Sequence, residues 1–162
     1  MTLARLAAVA ALLSTVAPAL GLGEAANPAV LRGAVKQELV LDETLLRSLP
    51  SVNVDVSFDT GEGRKSGSYI GVLLWTLVEK AGTVEAAGKN ARLRHTLLIT
   101  GRDGYAAALA LGEIDPHYEG KRVVLAYGGG EPPASFSSLR LVVPGDAHGG
   151  RSVRDIESIE VR

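Results

Sequence analysis

Between residues 52 and 58 apolar and polar side chains alternate without a break: Val52, Val54, Val56 and Phe58 against Asn53, Asp55 and Ser57. A period of two predicts a strand with one wet face. Upstream, Asp42 precedes Leu45, Leu46 and Leu49, which lie at helical spacing and are followed by Pro50. A short helix capped by Asp42 is expected there. Residues 59–68 are glycine-rich and read as a connection. Over 71–81 the spacing of Leu74, Leu77, Val78 and Ala81 predicts a helix, with Gly82 placed to end it. That helix is apolar nearly all round, so it should be buried, with Trp75 in the core. Further strands are expected over 93–100, 123–127, 139–143 and 156–161. Many strands and two helices predict a mixed α+β domain rather than a doubly wound parallel sheet.

The first residues carry a different pattern. Arg5 precedes an apolar run over 6–16, and Ala17-Pro18-Ala19 supplies the small-x-small motif of a cleavage site. Residues 1–19 therefore read as a secretory signal peptide, with an uncleaved anchor as the alternative. Residues 20–34 read as a flexible arm and 35–162 as one domain. No other stretch approaches the 18 or so apolar residues of a membrane span. The expected location is exported, periplasmic or extracellular.

Composition narrows the chemistry. A chain of 162 residues that is 46% hydrophobic can bury one core, which excludes a disordered or low-complexity reading. Its net charge of −1 argues against nucleic acid as a partner but leaves room for a local cationic site. Zero cysteines exclude disulfides, zinc-thiolate and iron–sulfur sites, and thiol nucleophiles.

Gly61-Glu62-Gly63-Arg64-Lys65-Ser66-Gly67 invites a phosphate-loop reading, but Arg64 separates Gly63 from Lys65 and Phe58 stands where the motif requires glycine. A plain turn fits better. His117, between Asp115 and Glu119, and His148, near Asp146, could each contribute to a metal site, but solvated turns are favoured. The sequence also lacks the Gly-x-Ser-x-Gly elbow of a serine hydrolase. The cations near the carboxyl end are more informative. Lys121, Arg122, Arg140, Arg151 and Arg154 are separated by strands and glycine turns that could gather them on one rim to bind an oxyanion. The competing reading pairs them with Asp146, Asp155, Glu157 or Glu160 on a solvated face.

Several ordered blocks carry a family resemblance. They are Tyr69-Ile70-Gly71-Val72-Leu73-Leu74-Trp75 running on to Gly82, Thr100-Gly101-Arg102-Asp103-Gly104-Tyr105, Glu113-Ile114-Asp115-Pro116, Leu139-Arg140-Leu141-Val142-Val143-Pro144-Gly145-Asp146 and Gly149-Gly150-Arg151-Ser152-Val153-Arg154. Together they resemble the sulfite-oxidase-type molybdopterin-binding domain, in particular its short exported members, over residues 35–162. The resemblance implies a strand-rich α+β fold with few helices, an oxidoreductase-like lineage and molybdopterin as cofactor. It matches Arg140 to a cofactor-binding arginine and Ser152, Val153 and Arg154 to a phosphate-contacting segment following Arg151. Asp103 falls near a further cofactor contact.

Two positions depart from that family. Ser135 stands near the place of its pterin-binding histidine, and Ser57 and Phe58 stand where its molybdenum-ligating cysteine is expected. The resemblance thus leaves the catalytic residue open and implies no protein metal ligand for this chain. Two functions follow: a protein that holds a pterin or similar small anion through its carboxyl-terminal arginines, or a non-enzymatic binding or accessory module that keeps the fold without cofactor. A redox or accessory protein is the partner class implied.

Overall fold

The computed structural model describes residues 27–83 and 88–162. The expected signal peptide and residues 20–26 of the expected arm lie outside these. Among the described residues, nine strands and three short helices confirm the strand-rich α+β class.

One sheet has the order β2-β1-β9-β5-β6, formed by β1 (Ala29–Gly33), β2 (Leu39–Leu41), β5 (Thr96–Gly101), β6 (Ala106–Ala110) and β9 (Ile156–Val161). The other, β3-β4-β7-β8, comprises β3 (Ser51–Thr60), β4 (Gly63–Leu73), β7 (Val124–Gly129) and β8 (Arg140–Val142). All pairings are antiparallel except β1 with β9. Helices α1 (Glu43–Arg47), α2 (Leu74–Ala81) and α3 (Leu111–Ile114) join them.

Residues 29–33 are a correction to the expected flexible arm. Ala29 and Leu31 are buried, and Leu31 sits opposite Ile159 of β9 and Leu39 of β2. A five-residue segment is too short to show a period. Its order comes from pairing with β2 on one side and, on the other, with β9 more than a hundred positions away, so the ordered strands begin before residue 35.

The helix expected over 71–81 starts at Leu74, because Gly71 and Val72 pair with Ala126 and Leu125 in β7. A Cβ at Gly71 would lie 2.1 Å from the Leu125 carbonyl oxygen, so glycine alone permits this approach. The expected connection 59–68 is instead the tip of a long hairpin, in which Thr60 faces Gly63 across a two-residue turn. Asp42 does cap α1, its Oδ1 accepting the Leu45 N–H at 2.7 Å.

Alternation in the second sheet divides two cores. Leu125, Leu139 and Leu141 join the main core, together with Leu31, Leu97, Ile99 and Ile159 of the first sheet and Leu74, Leu77 and Val78 of α2. Val124, Ala126 and Val142 point the other way, into a smaller cluster with Val54 and Tyr69. Arg140 is two residues from Val142 in β8 and so shares this second face, opposite Ala126 of β7. Val52 and Val56 also pack on the smaller cluster, and Phe58 continues their stripe. The fold thereby brings Phe58, Tyr69 and Arg140 to one end of one face.

Candidate functional site

At that end lies a cleft of about 640 Å³, walled by Phe58, Asp59, Thr60 and Gly61 of the hairpin, Arg140 of β8, and His148, Gly149, Gly150, Ser152 and Arg154 of the following loop. A second hollow of about 390 Å³ adjoins it and shares Phe58, Arg140 and Arg154; Lys65, Ser66, Tyr69, Glu131 and Pro132 complete it. The hairpin is tied to the loop by the Asp59 N–H, which donates to the Ala147 carbonyl at 2.8 Å.

Arg140 is 4% exposed. Its Nε donates to Ser152 Oγ at 3.0 Å, that hydroxyl donates to the Leu141 carbonyl at 3.1 Å, and the guanidinium lies 5.2 Å from the Tyr69 ring centroid. Its buried Nη1 has no hydrogen-bond partner among the described residues. Burial pulls the Arg140 pKa below its ordinary value; Tyr69 opposes this and the charge of nearby Arg154 adds to it. Arg140 still remains a cation, because guanidinium is not deprotonated in proteins. Arg154 is exposed and forms no ion pair among the described residues. Two like charges facing one cleft without a carboxylate partner create a demand for an anion.

The other expected site residues are placed differently. Arg151 does not line the cleft: its Nε and Nη2 hold Asp146 at 2.9 and 2.5 Å, and its Nη1 holds Glu113 at 2.9 Å. These carboxylates raise the Arg151 pKa and satisfy its charge, so the structural pairing prevails for this arginine. Val153 is fully buried in the main core, with its N–H donating to the Arg151 carbonyl and its carbonyl accepting the Leu141 N–H. Its backbone is committed to the fold. Ser152 lines the cleft, but its hydroxyl serves Arg140 and Leu141.

Asp103 also lies away from the cleft. Its Oδ1 accepts the Tyr105 N–H at 2.9 Å, fixing the β5–β6 turn, and the Tyr105 hydroxyl donates to the Gly150 carbonyl on the cleft wall. Asp103 therefore acts at one remove. The position of Arg154 depends on Gly101, where a Cβ would stand 2.6 Å from the Arg154 carbonyl oxygen.

Phe58 and Tyr69 line the site without being expected as binding residues, and Lys65 and His148, weighed above only for a phosphate loop and a metal site, line it as well. The signal for Phe58 was the alternating stripe itself, which puts residue 58 on the inner face and Ser57 on the outer. Ser57 Oγ accepts from Arg64 Nη2 at 3.0 Å there. Lys65 pairs with Glu62 at 2.6 Å in the hairpin, so the glycine-rich segment is a turn and not a phosphate loop. His117 Nδ1 lies 3.0 Å from Asp115 Oδ1, and Asp115 also receives Arg92 Nη1 at 3.1 Å.

These donors can be tested against molybdopterin. Guanidinium groups around an unpartnered buried N–H suit a phosphate or another oxyanion. The strand end where a thiolate is implied presents the Phe58 ring, which has no donor atom, and Ser57 faces away. No group of three or more potential metal-ligating side chains converges among the described residues. The anionic end of the cofactor fits; a protein ligand to its metal does not.

No family model and no curated protein matches the chain. Among solved structures it is similar to the crystal structure of the sulfane dehydrogenase SoxCD from Paracoccus pantotrophus, with a TM-score of 0.62 and 18% identity over 82% of this chain. The match spans 37% of that longer chain. At this identity the likeness is one of fold. This chain thus shares a strand-rich α+β fold with part of that sulfane dehydrogenase structure.

Proposed function

We propose that this protein is an exported, molybdopterin-binding, oxidoreductase-like protein that holds a phosphorylated pterin or a similar small organic anion through Arg140 and Arg154. The observation that carries the reading is the buried Arg140 Nη1, which lacks a partner beside a second uncompensated arginine on the wall of a 640 Å³ cleft. Arg140 and Arg154 take the anionic group, Ser152 orients Arg140, and Gly61 and Gly150 border open space along the cleft. A bound molybdenum cofactor would supply the redox chemistry; the chain itself would supply binding and orientation.

Phe58 at the implied thiolate position favours a second reading, a non-enzymatic binding or accessory module that takes the anion without a metal. Metal and pterin analysis of protein purified from its native host separates the two. Molybdenum near one atom per chain supports the first. A metal-free, pterin-free protein that binds phosphate in the cleft supports the second, and failure to bind any oxyanion removes both. The mass of the amino terminus of the purified protein tests export, because cleavage after Ala19 leaves Leu20 first.

A further inference from the structure

Phe58 stands at the junction of the cleft and the adjoining hollow, and Arg140 and Arg154 flank it in both. Its ring is seated on glycine: a Cβ at Gly149 would lie 2.8 Å from the ring carbon Cε2, so any side chain there would displace the ring. Along the same cleft, a Cβ at Gly61 or Gly150 would meet nothing within 4 Å. The cleft thus combines a half-buried aromatic ring, bare backbone and two cations without carboxylate partners. Ligand sites of this composition use apolar contact for affinity and a few charges for orientation. An exposed ring face offers most to another flat ring, through area and quadrupole together.

We propose that the ligand of this cleft is a flat aromatic anion, with its charged group between Arg140 and Arg154 and its ring on Phe58, which makes Phe58 the specificity-determining residue. This rests on the anion-binding reading above and adds the class of the organic part. Phe58 thereby gives the cleft a surface that selects rings.

Calorimetric titration of the purified chain with inorganic phosphate, phenyl phosphate and cyclohexyl phosphate tests it. Phenyl phosphate should bind about tenfold more tightly than phosphate, the worth of one aromatic contact with its buried area, and more tightly than cyclohexyl phosphate. In Phe58→Leu the ratio of phenyl phosphate to phosphate affinity should fall towards one. If phosphate binds but phenyl phosphate gains nothing over it, or if cyclohexyl phosphate gains as much, the aromatic proposal is overturned and the anion site stands. Persistence of the phenyl advantage in Phe58→Leu also overturns it. If none of the three binds, the anion site fails and takes this proposal with it. The comparison of the three probes needs no variant, so it holds even if Phe58→Leu does not fold.

Discussion

Arg140 Nε donates to Ser152 Oγ at 3.0 Å, and this single bond holds the guanidinium by one edge while its Nη1 stays buried and unpartnered. Ser152 is in turn anchored to the Leu141 carbonyl at 3.1 Å. Ser152→Ala should therefore strand a second buried donor. A loss of about 1–2 kcal/mol in stability and phosphate binding weaker by about threefold to tenfold are expected. Denaturant unfolding and phosphate titration check the two halves, and unchanged affinity would show that Ser152 does not orient the arginine.

Replacing Arg140 itself should separate stability from binding. A buried cation without a counter-ion gains little from its burial, and an apolar residue of similar volume often costs nothing. Arg140→Leu should keep the ligand-free stability within about 1 kcal/mol of the parent. The parent should gain about 2.7 kcal/mol at phosphate concentrations a hundredfold above Kd, and Arg140→Leu should gain none. Melting curves with and without phosphate read both outcomes.

Gly101 governs Arg154 from the neighbouring sheet. An added methyl would stand 2.6 Å from the Arg154 carbonyl oxygen and 2.9 Å from Asp103 Oδ1. Gly101→Ala must push the backbone of the 152–155 segment away from β5, at a cost of about 1–3 kcal/mol. Because Arg154 moves with it, phosphate affinity should fall although no cleft side chain has changed. Titration of the folded variant decides the point.

The Arg151 network should behave as structure. Burial raises the Glu113 pKa, but hydrogen bonds from Arg151 and the Ala110 N–H, with the charges of Arg151 and Lys121, outweigh this and hold it below the ordinary carboxylate range. A depressed folded pKa contributes stability that is complete above the unfolded pKa and is lost as pH falls through the folded one. The parent should exceed Glu113→Gln in stability at neutral pH, and the gap should narrow below about pH 4. Arg151→Ala should show the same narrowing and keep phosphate affinity within about twofold, since its charge is spent on Asp146 and Glu113. Urea unfolding across pH and phosphate titration test these expectations, and a large affinity loss in Arg151→Ala would place this arginine in the cleft after all.

The elements legible in the sequence were those whose cause is local. Alternation over residues 52–58 specified β3 and the facing of Phe58, the Asp42 side chain specified the start of α1, and Gly82 the end of α2. Segments whose cause is remote were not legible. Residues 106–110 are four alanines and a leucine, poor strand formers by composition, and they become β6 by pairing with β5 across the turn fixed by Asp103. Gly71 and Val72 suit a helix by hydropathy, yet the approach of β7 takes them into β4.

The candidate site divides along the same line. The sequence by itself determined that arginines were the candidate oxyanion-binding groups and that neither residue 57 nor residue 58 could offer a thiolate, because these follow from residue identity. It also set the period that turns residue 58 inward. Only the tertiary structure decided which arginines keep their charge free. Arg151 meets Glu113, 38 positions away, and Asp146, whereas Arg140 is carried by β8 onto a sheet face that it shares with apolar residues such as Val142 and Ala126 and with Tyr69. Ion pairing is a competition among groups that folding brings together, and its outcome depends on distances through space that no local pattern encodes.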